Sequence, residues 1–314
     1  MQLDRRIFDP LRIEEETTAL NRSILAKYAG LPDPSSVPPA VIRERRRQGF
    51  SPFPMQQKFP RAEMIEIEGK GVRIPLRIIA PPRPSGVYLH IHGGGWMFGS
   101  CDEQDEWLER LARNCGLACV SVEYRLAPEN PYPAAPDDCE AAALWLVREC
   151  QARFGTQRLF IGGESAGGYL AVMTLLRVRD RLGTCPFAGA NLLSGCYDLM
   201  ITPSAQTWGE ERLILNTPDV HLCIGNFCPP GIDRRSPAVS PLRADLRGMP
   251  PAHISVGTLD PLLDDSLFLA ARWTAAGAAA DLAVWPGGCH VFMRFQNAMT
   301  EAASLRVERF LNGL

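Results

Sequence analysis

The chain has 314 residues, 46% of them hydrophobic, and a formal net charge of −2. That length can bury one large core and favours one large domain with an embellishment over two equal ones. The balanced charge offers no footprint for nucleic acid or an anionic membrane surface, and no apolar run reaches membrane-spanning length. The first ten residues lack the apolar centre of a signal peptide, so the expectation is a cytoplasmic protein. Its ten cysteines should then be free thiols, mostly small buried hydrophobes.

Residues 1 to about 50 read as helical and interrupted. Ile13, Leu20, Ile24, Leu25 and Tyr28 have amphipathic spacing over Leu11 to Ala29. A Pro/Ser stretch from Leu31 breaks the pattern, and Ala40 to Gln48 resumes a short helix. The basic run Arg43 to Arg47 reads as a solvated helix face, because its flanks are not basic. Residues 1–60 are therefore expected to form an accessory layer rather than part of a sheet.

From about Ala62 the texture changes. Met64 to Glu68 and Val72 to Ile79 alternate about a Gly69-Lys70-Gly71 turn, which is a hairpin signature. Gly86 to His92 is a third strand. Then follow a glycine-rich loop, a helix at Asp102 to Asn114 and a strand at Leu117 to Val122. A helix at Ala134 to Phe154, a strand at Leu159 to Gly162, a helix after Ser165 and a strand at Ala188 to Leu193 come next. The rhythm breaks over 197–235, read as an insertion above one end of a sheet. It resumes with His253 to Gly257, a helix at Asp265 to Ala276, Asp281 to Trp285 and a last helix from Asn297 to Leu311. Strand and helix alternate as in a mostly parallel sheet covered on both faces, so 61–314 is expected to be one α/β domain.

Gly163-Glu164-Ser165-Ala166-Gly167 fits the G-x-S-x-G nucleophile elbow, a strand-to-helix turn that exposes a serine hydroxyl. Such a serine needs a base, usually histidine. Of five histidines, His90 and His253 fall in strand patterns, His92 opens the glycine loop and His221 lies in the insertion. His290 follows the last strand, where an open α/β sheet gathers its site, and is the preferred base. Asp260, directly after the strand residues Ile254 to Leu259, is the preferred orienting acid. Asp264 and Asp265 compete but look like helix N-terminal acids. His92-Gly93-Gly94-Gly95 matches an oxyanion loop, so Gly93, Gly94 and Ala166 are the expected N–H donors. His221, Cys223 and Cys228 lack a second cluster to complete a metal site, and no metal is expected.

These motifs, with Tyr124-Arg125-Leu126-Ala127-Pro128-Glu129 and His290-Val291-Phe292, occur in the order seen in the hormone-sensitive-lipase-like family of α/β-hydrolases. The chain resembles that family over about residues 62–314. The resemblance implies an eight-stranded α/β-hydrolase fold and no cofactor. It also implies carboxylesterase activity on short-to-medium acyl chains, and a helical cap built from 1–60 and the 197–235 insertion. Two departures stand out. Glu164 replaces the commoner Asp, where it could be a spectator or hydrogen-bond the cap or the oxyanion loop. Val291 replaces the usual Gly, where it would reshape the pocket wall.

Ser165 would attack the ester carbonyl and His290 would take its proton, so activity should fall as pH drops through about 6–7. Trp96, Phe98 and Phe292 are candidate pocket residues for a small-molecule ester. Neither nucleic acid nor integral membrane association is expected, and the reading allows a homodimer. An amidase or deacetylase on the same machinery, or a non-catalytic binding protein of this fold, are the alternatives.

Overall fold

The computed structural model describes residues 3–55 and 57–314. Ahead of the sheet lie α1 (Glu15–Ala29) and α2 (Pro39–Arg47). The hairpin β1 (Glu63–Glu68) and β2 (Arg73–Ile79) follows, then β3 (Gly86–Ile91), α3 (Asp105–Cys115), β4 (Leu117–Val122) and α4 (Ala134–Phe154). Next come β5 (Leu159–Glu164), α5 (Ala166–Leu182) and β6 (Phe187–Leu193). The insertion holds α6 (Pro203–Thr207) and α7 (Thr217–Phe227). After it come β7 (Ala252–Leu259), α8 (Leu263–Ala275), β8 (Ala280–Cys289) and α9 (Ala298–Asn312).

The eight strands form one sheet in the order β1-β2-β4-β3-β5-β6-β7-β8. β1 and β2 run antiparallel to their neighbours and the remaining pairs are parallel. Side chains from successive positions go to opposite faces. Leu89 and Ile161 therefore join a core with α4, α5 and α8, while Tyr88 and Phe160 join a second core with α3 and α9. The chain leaves β3 toward β4 and leaves β5 toward β6, in opposite directions along the sheet. A crevice opens between the C-terminal ends of two such strands, and in open α/β sheets ligands bind there.

Two segments lie over that end. Asn21 Nδ2 on α1 donates to the Gly287 carbonyl at 2.9 Å, and the Tyr28 hydroxyl donates to the Ile214 carbonyl of the insertion at 3.0 Å. The basic run of α2 is not a solvated face throughout. Arg43 donates from Nε to the Met97 carbonyl (2.7 Å) and from an Nη to the Ala127 carbonyl (3.0 Å). One turn on, the Arg46 guanidinium sits over the Phe98 ring at 4.5 Å. Positions three apart share a helix face, and this face is turned inward.

Candidate active site

β5 ends at Glu164 and α5 begins at Ala166, so Ser165 alone makes the turn. Its backbone lies at φ 54°, ψ −120°, a region L-residues rarely occupy. Bare flanks make that possible. A Cβ on Gly163 would lie 2.3 Å from the Ile91 carbonyl oxygen, and one on Gly167 only 1.9 Å from the same atom. Ser165 N–H donates to the Leu193 carbonyl at 2.9 Å, tying the turn to β6.

The structure brings Ser165, His290 and Asp260 together. Ser165 Oγ lies 2.9 Å from His290 Nε2, and His290 Nδ1 lies 3.0 and 3.1 Å from the two Asp260 carboxylate oxygens. With Nδ1–H donated to Asp260, Nε2 is left to accept from the serine hydroxyl. Asp260 and His290 are both buried, and Asp260 also accepts from the Leu262 amide at 2.9 Å. The competing acids are occupied elsewhere. Asp264 accepts from the Ser204 amide, while Asp265 accepts from the Tyr197 and Asp198 amides and the Thr202 hydroxyl. Both do lie in the first turn of α8, but they fasten the insertion to it. Burial pushes the Asp265 carboxyl up to about 7 against those three hydrogen bonds.

The expectation for Gly93 needs correcting. Its N–H donates to Glu164 Oε1 at 2.6 Å, so its single amide donor is already used. Glu164 precedes the serine on β5 and reaches the loop that follows the neighbouring β3. On its other side it meets His90 Nε2 at 3.3 Å, and His90 Nδ1 lies 2.9 Å from the Ser121 hydroxyl. Burial pushes the Glu164 carboxyl up. His90, the Arg294 charge and the Gly93 amide outweigh it and hold the group below the usual range. The amides of Gly94, Gly95 and Ala166 donate to no group among the described residues, and all three residues line the cavity containing Ser165. Gly95 was missed in the sequence because the use of Gly93 depends on a side chain 71 positions away.

That cavity has a volume of about 510 Å³ and mostly apolar walls. Trp96 and Phe98 line it. Phe292 does not: it is fully buried, tilted against Trp285 at 5.9 Å, and belongs to the core beneath β8. Val291 takes the wall position instead, in the left-handed region at φ 49°, ψ 39°. For a β-branched residue that conformation is strained. Cys223 of α7 also reaches the wall, with its Sγ where a Cβ on Gly95 would stand, 2.4 Å away. Among the described residues no group of three or more His, Cys, Asp or Glu could hold a metal, and no helix is long and apolar enough to cross a membrane.

A serine elbow at the switch point of such a sheet is the architecture of the α/β-hydrolases, and the family described as having the alpha/beta hydrolase fold matches residues 88–294. Ethyl acetate hydrolase of Pseudomonas putida is 32% identical over 243 residues, covering 74% of this chain and 75% of that protein. Carboxylesterase NlhH of Mycobacterium tuberculosis is 33% identical over 240 residues, 73% and 74% of the two chains. A crystal structure of an esterase from the bacterial hormone-sensitive lipase family superposes with a TM-score of 0.81 at 30% identity, covering 96% of this chain and 98% of that one. The chain belongs to the hormone-sensitive-lipase-like family of α/β-hydrolases, and it is a carboxylic ester hydrolase.

Proposed function

We propose that Ser165, His290 and Asp260 are the catalytic triad and that Gly94, Gly95 and Ala166 form the oxyanion hole. The observation that carries this reading is the unbroken hydrogen-bonded line from the Ser165 hydroxyl through His290 to Asp260. Ser165 Oγ attacks the ester carbonyl while His290 Nε2 takes its proton, and Asp260 stabilises the imidazolium. Three converging amides meet the negative oxygen; removing one such donor in a related mechanism costs about 10²–10³ in rate. His290 then protonates the leaving alcohol and activates a water that frees the acid.

Residues 1–60 with 197–235 act as the cap over a catalytic domain of 61–314, a reading supported by walls that both segments contribute to the cavity. The substrates are esters of short-to-medium acyl chains. A bounded apolar cavity supports this, as does the name of the relative that hydrolyses ethyl acetate.

The test is Ser165→Ala assayed on p-nitrophenyl esters from acetate to palmitate. The wild type should favour the short and medium esters, and the variant should lose at least about 10³ in kcat while keeping its thermal transition. Retained turnover in the folded variant sinks the triad, and a palmitate optimum sinks the chain-length assignment.

A further inference from the structure

Arg294 stands four residues after His290 and lines the cavity that holds Ser165. Its side chain is only 10% exposed, which for a permanently charged group calls for partners. It has few. Nε is buried with no hydrogen-bond partner among the described residues. The carboxylate within ion-pair reach is Glu103, 3.7 Å away and beyond hydrogen-bond distance. Glu164 feels the Arg294 charge, but its hydrogen bonds go to the Gly93 amide and His90. Packing against Phe53, 4.7 Å beneath the guanidinium, orients the group without using its donors. The contrast within the same cavity is Arg212, whose Nε and an Nη engage Asp219 at 2.7 and 2.9 Å. A planar guanidinium with its fork unspent is suited to a carboxylate, which it can bind through two parallel N–H···O bonds.

We infer that Arg294 selects esters carrying a second, free carboxylate, which completes its hydrogen bonding as the ester carbonyl reaches Ser165. This rests on the Ser165 cavity being the ester site. For a half-ester of a dicarboxylic acid, the acyl–oxygen bond breaks as Ser165 is acylated. Ethanol leaves with the proton from His290, and water then releases the dicarboxylate. The carboxylate could instead sit on the alcohol half, and two pairs of isosteres separate the cases. Monoethyl glutarate against ethyl 5-methylhexanoate probes the acyl side, and 4-acetoxybutanoate against 4-methylpentyl acetate probes the alcohol side. Acid release is followed by pH-stat.

In one arm the wild type should show kcat/KM about tenfold or more higher for the anionic ester than for its neutral isostere. Arg294→Met should lower that ratio by about 10- to 100-fold, the range of a hydrogen bond to a charged group. Arg294→Lys, with the charge but not the fork, should recover part of it. A wild-type ratio at or below one in both arms overturns the assignment whether or not the variants fold. A ratio unmoved by Arg294→Met also overturns it and makes the side chain a packing element over Phe53. In both cases turnover of the neutral esters leaves the esterase reading standing; turnover of none of the four esters by the wild type overturns both.

Discussion

Below Ser165 the chain is held by backbone against backbone. Gly163 and Gly167 press on the Ile91 carbonyl, and β5 is paired on both sides, with β3 and with β6. Above Ser165 the covering segments are held by side chains reaching over long distances: Tyr28 to Ile214, Arg43 to Met97 and Ala127, Asp265 to the start of the insertion. The floor tolerates no added atom, whereas the cover can exchange one hydrogen bond for another. Substitutions below should therefore act as all-or-none, and those above should be graded.

The largest expected effect is Gly167→Ala. Its methyl would stand 1.9 Å from a carbonyl oxygen on a central strand, so the turn must open or β3 must shift. A destabilisation above about 4 kcal/mol, or no folded protein, is expected from chemical denaturation. A variant within about 1 kcal/mol of wild type would show the floor to be as pliable as the cover.

Glu164 belongs to the floor but acts through a side chain, and it should fall between the extremes. Glu164→Ala releases the Gly93 amide and loosens the oxyanion loop, so kcat should drop about 10- to 100-fold, short of losing a donor outright, with KM little changed. Glu164→Gln keeps an oxygen to accept from Gly93 and should recover most of the rate. Equal damage in both variants would mean that the charge, not the hydrogen bond, is what counts.

The effect that belongs to the cover appears as a pH slope. Asp265 has its carboxyl raised to about 7 in the folded chain, above the ordinary aspartate value near 3.9 of an unfolded one. The folded state therefore holds this proton more tightly. The associated stability is full below about pH 4 and is lost as pH rises through about 7. Asp265→Asn can keep the two amide bonds through its oxygen and donate to Thr202 with its nitrogen. Urea midpoints at pH 5 and pH 8 should differ less in this variant than in the wild type. An unchanged difference would assign the slope to other groups.

The same division governs what could be read from the chain before its structure. The sheet, the elbow and the positions of Asp260 and His290 at strand ends follow from alternation, glycine placement and loop position, all of them local. Strand β8 runs four residues beyond the expected Trp285, to Cys289: Pro286, Gly287 and Gly288 suggest a loop, and the register does shift there, with Gly287 at φ 74°, but Cys289 pairs again with Leu259 of β7. What was illegible is long-range. That Gly93 is spent on Glu164, that Phe292 turns into the core while Val291 faces the cavity, and that Arg43 and Arg46 turn inward all depend on contacts between distant positions. No periodicity encodes them.

Val291 has a consequence for how such an enzyme can diverge. Its left-handed backbone costs about 1–2 kcal/mol, which glycine would release. Burying its side chain contributes about 1.5–3 kcal/mol, which glycine would forfeit. The two nearly cancel, so residue 291 can gain or lose a side chain with little change in fold stability while altering the wall next to the His290 imidazole. Selection can reshape the cavity there first, long before it can touch Gly163 or Gly167.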